Sequence, residues 1–152
     1  MTLKEYKKKR KFKKTPEPPP SVAKKARIAA AKKIFVVQKH FARNLHYDFR
    51  LEMYGVLKSW AVPKGVPEKP GIKHLAVMVE DHPLEYANFS GVIPQGEYGA
   101  GLVEIWDKGT YEMVEATEKA YKIMMHGKIL KGEYVLFNFK NDKNWLLFKT
   151  KI

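Results

Sequence analysis

The sequence predicts a mainly β protein: a small antiparallel β-barrel, closed or partly open, with a basic N-terminal arm and little helix. From Ile34 onward, short segments rich in β-branched and aromatic residues follow one another closely, and turn-forming residues separate them. About nine short strands at this spacing are typical of a compact barrel or sandwich. The chain of 152 residues is long enough for one domain with a sizeable core.

Glycine, asparagine and aspartate mark the ends of the predicted strands, as at Tyr54-Gly55, Asp107-Lys108-Gly109 and Asn141-Asp142. A loop with two prolines, Gly65–Gly71, separates the third strand from the fourth. Four glycines follow the fourth strand, and without a Walker-type lysine they favour tight turns at a barrel corner over a phosphate-binding loop. The predicted strands are 34–40, 46–53, 57–62, 74–80, 102–107, 110–115, 120–126, 133–139 and 144–150.

The positive charge is concentrated at the N-terminus. Residues 1–33 hold 13 of the 29 lysines and arginines and 2 of the 16 acids, a net +11, which leaves 16 bases and 14 acids for 34–152. We therefore divide the chain into an arm, 1–33, and a barrel domain, 34–152. Thr15–Pro20 must be extended, and Ser21–Lys33 suits a short helix. A basic arm with almost no apolar face favours nucleic-acid binding, and the alternatives are a solubilising tail or a membrane-surface segment.

Composition also excludes several classes of protein. The chain has no cysteine, which rules out disulfides, zinc ribbons and thiol catalysis. No apolar run approaches the ~20 residues that a membrane span needs, and the N-terminus lacks the hydrophobic core of a signal peptide. A cytoplasmic protein with no membrane partner is expected.

The segment HYDFRLE, residues 46–52, alternates strictly between polar and apolar side chains, the pattern of a strand with one buried face. Its polar face carries an imidazole, a carboxylate and a guanidinium in a row, at His46, Asp48 and Arg50. Core packing does not require such a row, so it indicates a functional site. The apolar positions are Tyr47, Phe49, Leu51 and Met53.

A hairpin would bring further polar side chains to this row. If Phe41–Leu45 is the loop, His40 lies across from His46 and Gln38 lies near Asp48. Two histidines and one carboxylate form a known ligand set for Mn, Fe or Zn that leaves coordination positions open for catalysis. An arginine beside them would bind an oxyanion. The alternative is an exposed salt-bridge ladder on a solvated sheet face.

Three long segments follow one another along the chain: QKHFARNLHYDFRLE (38–52), GVLKSWAVPKG (55–65) and VEDHPLEYANFSGVIPQGEYGAG (79–101). In this order they closely resemble the 3′-phosphoesterase domain of bacterial end-joining DNA ligases of the ligase D type, and the chain looks like a stand-alone member. The resemblance implies a small β-barrel and a manganese enzyme, with Co²⁺ or Zn²⁺ also acceptable to the ligands. The implied activities are removal of a 3′-terminal ribonucleoside as a diesterase and of a 3′-phosphate as a monoesterase, leaving a 3′-OH.

The resemblance also implies roles for individual residues and a set of partners. The partners are DNA primer–template 3′ ends bearing a ribonucleotide or a phosphate, together with a DNA ligase and end-joining proteins. Lys11 replaces a common acid and His74 a common basic residue, and these departures predict a weakening of one activity, the monoesterase step before the diesterase step. The implied metal ligands are His40, His46 and Asp48, the implied phosphate contacts are Arg50 and His82, and the further active-site positions are Gln38, Lys64, Glu80, Tyr86, Arg10 and Glu17.

Two other functions fit parts of the pattern. A histidine and an aspartate at 46 and 48 with a distant histidine also suit a non-haem iron oxygenase on a cupin-like barrel, although its third ligand usually lies downstream. A non-catalytic single-strand binder would use the arm and aromatic residues such as Trp60, Tyr86 and Trp106 for stacking, although such residues more often belong to the core.

Overall fold

The computed structural model describes residues 32–97 and 99–151. Within them the chain forms nine β-strands and one short 3₁₀ turn, Leu84–Asn88. The strands are β1 Lys33–Phe41, β2 Leu45–Met53, β3 Val56–Val62, β4 Lys73–His82, β5 Gly91–Ile93, β6 Gly101–Ala116, β7 Ala120–His126, β8 Lys131–Lys140 and β9 Asn144–Lys149.

All strand pairs named in this sheet are antiparallel, in the order β1-β2-β3-β4-β9-β8-β7-β6, and β6 pairs back with β1. That last pairing closes an eight-stranded barrel, and closure leaves no unpaired edge along most of its circumference. The short strand β5 lies outside the circle and pairs only with the first residues of β6, where Gly91 faces Val103. The predicted fold class is confirmed.

Side chains alternate between the two faces of each strand, and the apolar face of each strand fills the barrel interior. Phe49, Leu51 and Trp60 are fully buried, and each contributes about 1.5–3 kcal/mol by leaving water. Trp60 packs edge-on against Trp145, which stacks on Tyr121 with ring centroids 5.5 Å apart. This aromatic cluster is core, so Trp60 is not available for stacking on a nucleic acid base.

A second, smaller cluster lies on the outside of the barrel. Val36 of β1 and Leu57 of β3 pack against Ala87 of the 3₁₀ turn, and all three are buried. This contact holds residues 83–100, which we call the covering segment, against the outer face of β1 to β3. The covering segment is described except for residue 98.

The hairpin of β1 and β2 forms in the predicted register. His40 pairs directly with His46, and Gln38 with Asp48. At the loop, β1 ends one residue later and β2 begins one residue earlier than predicted, so the connection consists of residues 42–44. The positive φ angles of Tyr54 and Gly55, 57° and 80°, suit the tight turn predicted between β2 and β3.

One predicted turn is wrong. The strands expected at 102–107 and 110–115 are a single strand, β6, and Asp107-Lys108-Gly109 lies within it. The Asp107 side chain is buried and accepts backbone N–H groups from residues 128–130 instead of closing a turn. Gly109 is required because a Cβ there would lie 2.2 Å from the His126 carbonyl oxygen.

The sequence did not predict the 3₁₀ turn or β5, which replace the expected series of tight turns. The expected helix Ser21–Lys33 lies outside the described residues except at its end, where Lys33 begins β1. Among the described residues, no helix has the length and apolar character needed to cross a membrane.

Candidate active site

Three side chains converge on the outer face of the β1–β2 hairpin. Asp48 Oδ1 lies 3.2 Å from His46 Nε2, and Asp48 Oδ2 lies 3.6 Å from His40 Nδ1. One ligand atom from each residue lies within 4.8 Å of the other two. The predicted convergence of His40, His46 and Asp48 is confirmed, and the trio has the donor types and spacing that a divalent cation requires.

Each histidine has a backbone carbonyl on the side facing away from Asp48. His40 Nε2 lies 2.8 Å from the carbonyl oxygen of Gly99, and His46 Nδ1 lies 3.2 Å from that of Asn44. A proton on each of these nitrogens would be donated to the carbonyl, which leaves the other nitrogen of each ring free to bind a cation. Carbonyl partners of this kind orient metal-binding histidines in proteins.

The electrostatics of the trio favour an ionised carboxylate. Burial by itself raises the pKa of Asp48, but hydrogen bonds with His40 and His46 and the charge of Arg50 outweigh it and hold the pKa well below its usual range. The hydrogen bond with Asp48 raises the pKa of His46. Asp48 therefore stays charged at neutral pH, as a metal ligand must.

Arg50 is buried beside the trio and held on three sides. Its Nε donates to Gln38 Oε1 at 2.7 Å, its Nη2 lies 3.4 Å from Asp48 Oδ2, and its guanidinium lies 4.9 Å from the ring centre of Tyr86. Burial lowers the pKa of Arg50, an effect that the Asp48 charge opposes. Arginine nevertheless stays protonated in proteins, so the site holds a fixed positive charge.

Gln38 ties Arg50 to the covering segment. It is fully buried, and its Nε2 donates to the carbonyl oxygens of Tyr86 and Phe89, at 2.8 and 3.1 Å. It lies behind Arg50 and does not line the cavity. Its contacts are therefore those of a positioning residue.

The fold brings His82, at the end of β4, to the same face. His82 Nδ1 lies 3.3 Å from Arg50 Nη1 and 3.0 Å from the Glu80 carbonyl oxygen, and its ring packs against Tyr86. His82, Glu80 and Tyr86 line one cavity of about 460 Å³ together with the trio and Arg50. This volume is in the range of small-ligand sites.

One further predicted site residue, Lys64, lies away from the cavity. It is exposed in the turn after β3. His74 Nδ1 lies 2.6 Å from the Gly65 carbonyl oxygen, which holds that turn. Arg10 and Glu17 lie outside the described residues. Three residues of the covering segment that were not predicted as site residues also line the cavity, namely Pro83, Ile93 and Gly99.

The alternative of a solvated salt-bridge ladder does not fit this environment. Asp48 is only 7% exposed and Arg50 only 3%, although both lie on the outer face of the barrel. Tyr86 of the covering segment packs against the Arg50 guanidinium and shields it from water. A buried carboxylate and guanidinium beside two imidazoles could hold a cation and an oxyanion together.

Comparison with known proteins identifies the family. The model of the DNA ligase D 3′-phosphoesterase domain matches residues 38–138. The chain belongs to this family. The match includes the trio, Arg50, His82 and the whole covering segment.

Similar proteins are much longer than this chain. It is 45% identical over 153 residues to the multifunctional non-homologous end joining DNA repair protein LigD of Mycobacterium tuberculosis, covering 98% of this chain and 20% of that protein. It is 47% identical over 157 residues to the multifunctional non-homologous end joining protein LigD of Pseudomonas aeruginosa, with 98% and 18% covered. The chain thus spans about a fifth of the length of these family members.

Proposed function

We propose that this chain is a metal-dependent phosphoesterase that heals 3′ ends of nucleic acid in end-joining DNA repair. The observation that carries the proposal is the convergence of His40, His46 and Asp48 beside the buried Arg50. Membership of the 3′-phosphoesterase family supports the reaction class, and the names of the LigD relatives support the repair context.

The proposed cofactor is Mn²⁺, with Co²⁺ or Zn²⁺ as substitutes. The donor set fits such an ion: two imidazole nitrogens and a carboxylate, with the opposite nitrogen of each ring facing a carbonyl. A divalent cation bound there would supply Lewis acidity toward a phosphate oxygen. Three protein ligands leave room for substrate and water.

The remaining side chains have roles that follow from their positions. Arg50, desolvated and fixed by Gln38, stabilises the negative charge that grows on the phosphate oxygens in the transition state. His82 shares that task, or gives a proton to the leaving oxygen, since imidazole titrates in the needed range. Glu80, Tyr86, Lys64, Arg10 and Glu17 remain proposed contributors to the site.

The proposed substrates are DNA primer–template ends that carry a 3′-terminal ribonucleotide or a 3′-phosphate. The final product is a strand with a 3′-OH. A DNA ligase partner in the cytoplasm can use this 3′-OH. The diesterase removes the terminal ribonucleoside and the monoesterase removes the phosphate. We propose that the departures from the family pattern at Lys11 and His74 weaken the monoesterase step first.

A labelled-strand assay tests this function. Wild-type protein should shorten a 5′-labelled strand ending in one ribonucleotide, and convert a 3′-phosphate to a 3′-OH, with Mn²⁺ and not with EDTA. His46→Ala should lose at least about 100-fold in rate because it removes a metal ligand. His126→Ala is the matched control, since His126 forms an exposed pair with Glu112 far from the cavity.

The same assay separates the rival functions. A near-wild-type rate in His46→Ala would contradict the proposed metal site. Strand binding that EDTA does not change, with no product under any metal, would indicate a non-catalytic binder. Oxygen uptake with Fe²⁺ and a 2-oxoacid would indicate an oxygenase.

A further inference from the structure

Within the part of the chain that the structure describes, the covering segment walls one side of the cavity at the candidate active site. On that side the covering segment supplies Pro83, Tyr86, Ile93 and Gly99, and the carbonyl oxygen of Gly99 contacts His40. The covering segment crosses the outer face of β1 and β3 and then joins β6 through β5. A ligand group on this side is confined by the covering segment.

Among the described residues, the other side of the cavity continues onto the outer face of β3 and β4. Asp48 pairs with Ala61, and Ala61 pairs with Val77, so these three side chains lie in one row on the same face. A neighbouring row leads from Arg50 across β3 to Val79. Ala61 and Val79 line the cavity, while Val77 lies beyond it, half-buried.

The open side continues away from the metal ligands toward the start of β4. Leu75, two residues from Val77 on the same face, is 41% exposed and pairs with Leu146 of β9. Two residues further, the exposed Lys73 pairs with Phe148 and holds its Nζ 5.2 Å from the ring centre. We call Ala61, Leu75, Val77 and Val79 the shelf, and Lys73 lies at its far end.

This asymmetry matters because the two halves of a 3′-end substrate differ in length. The unit that departs is a single nucleoside or none, and it can be held in a confined space. The retained strand continues for many nucleotides and must leave the site by an open path. Sugars and base faces can lie on a flat apolar surface without sequence preference, and a lysine at its far end matches the charge of a phosphate.

We propose that the retained strand lies on the shelf, with Lys73 contacting a phosphate about two nucleotides upstream of the reacting one. This inference rests on the proposed function. Strands in a sheet are about 4.8 Å apart and residues along a strand about 3.3 Å, so Leu75 lies roughly 12 Å from Asp48 along the surface. The departing nucleoside then occupies the walled side.

A negative charge introduced at the far end of the shelf tests the proposal. Lys73→Glu and Leu75→Glu replace exposed side chains, and Lys128→Glu, in the exposed turn between β7 and β8, is the matched control. The substrates are a nucleoside 3′-phosphate and 3′-phosphate strands of about two to twelve nucleotides. In the wild type, kcat/KM should rise over the first few upstream nucleotides.

Lys73→Glu and Leu75→Glu, which we call the shelf variants, should lose about tenfold in kcat/KM on long strands, mainly through KM. Both should keep the wild-type kcat/KM on the nucleoside 3′-phosphate. Lys128→Glu should match the wild type on all substrates. An equal loss on the nucleoside 3′-phosphate would overturn the proposal, because the shelf would then only support the metal ligands. Wild-type kinetics for both variants on long strands would also overturn it.

A ribonucleotide-terminated strand supplies a second readout, since a shelf for the retained strand must serve both reactions. A loss confined to this diester, with the 3′-phosphate strand unaffected, would assign the shelf to the departing nucleoside and overturn the proposal. Fluorescence anisotropy of a labelled 3′-phosphate strand keeps this test separate from the proposed function. If no substrate turned over, weaker binding by the shelf variants than by Lys128→Glu would still support the shelf, and equal binding would overturn it.

Discussion

Asp48 contacts three nitrogen-bearing side chains at once, and this explains much of the chemistry of the candidate site. Its carboxylate faces His40, His46 and Arg50 at 3.2 to 3.6 Å. Burial by itself raises the pKa of the carboxylate and favours its protonated form, whereas the three partners favour the charged form. The same carboxylate can therefore bind a cation on one side and orient a guanidinium on the other.

Gln38 should affect both catalysis and stability, because it fixes Arg50 and the covering segment together. Gln38→Leu removes two hydrogen bonds to carbonyl oxygens and the acceptor for Arg50 Nε. We expect kcat/KM to fall about 10- to 100-fold and the free energy of unfolding to fall by about 1–3 kcal/mol. Steady-state kinetics and urea unfolding measure the two effects.

The control is Asn138→Leu, which removes a half-buried amide that donates to the Asn144 carbonyl oxygen away from the cavity. It should lose stability without losing activity. If Gln38→Leu behaved in the same way, Gln38 would be a structural residue only.

Tyr134 should make the barrel sensitive to alkali. Its hydroxyl donates to the Pro67 carbonyl oxygen at 2.7 Å, and burial raises the pKa of Tyr134 to about 12. An unfolded tyrosine loses its proton near pH 10, so the native state holds the proton more tightly above that pH. The stabilisation is complete below pH 10 and is lost as the pH rises toward 12, at up to about 1.4 kcal/mol per pH unit.

Urea unfolding at several pH values between 9 and 12 tests this prediction. In Tyr134→Phe the free energy of unfolding should fall less steeply with pH than in the wild type, whatever its absolute value. Tyr54→Phe, at a position 66% exposed, should keep the wild-type slope. Equal slopes in all three proteins would contradict the assignment to Tyr134.

At the scale of elements, β6 depends on Asp107 for its connection to the turn between β7 and β8. The buried carboxylate accepts from the backbone nitrogens of residues 108, 128, 129 and 130, at 2.8 to 3.2 Å. Asp107→Ala should lower the free energy of unfolding by about 2–4 kcal/mol, because these N–H groups lose a charged acceptor. Urea unfolding measures the loss.

Glu104→Gln is the control on the same strand, since Glu104 is exposed and should contribute little. A loss for Asp107→Ala no larger than that for Glu104→Gln would mean that the turn is held by other contacts.

The role of Asp107 also explains why β6 was predicted as two strands. Asp-Lys-Gly is a common turn sequence, but here the aspartate serves a turn that is distant in sequence.

At the scale of the whole molecule, metal binding should stabilise the native barrel. The ligands come from two strands and converge only when the hairpin is folded, so the cation binds the native state in preference to the unfolded chain. Mn²⁺ at 100 times its Kd should raise the free energy of unfolding by about 2.7 kcal/mol. Thermal unfolding with Mn²⁺ and then with EDTA measures the change.

Asp48→Asn should show little of this stabilisation, because it replaces an anionic ligand with a neutral one. Glu112→Gln, which changes an exposed carboxylate on β6, should respond to Mn²⁺ as the wild type does. A similar Mn²⁺ effect in Asp48→Asn and the wild type would place the ion elsewhere.

The fold class, most strand positions and the convergence of the proposed metal-ligand trio were all predictable from the sequence. His40, His46 and Asp48 lie within nine residues of one another, and a single hairpin with alternating side chains brings them together. Period-two alternation assigns faces, and the loop position sets the register, so both are local properties of the chain. His82 and Tyr86 lie far from the hairpin in sequence, and only the family resemblance predicted that they belong to the same site.

Only the tertiary structure decided what surrounds the trio. Gln38 meets Tyr86 and Phe89 across about 50 residues of sequence, and His40 meets Gly99 across 59. These contacts depend on barrel closure and on the packing of the covering segment against Val36 and Leu57, which no local pattern encodes. The burial of Arg50 and the walled and open sides of the cavity are consequences of that long-range packing.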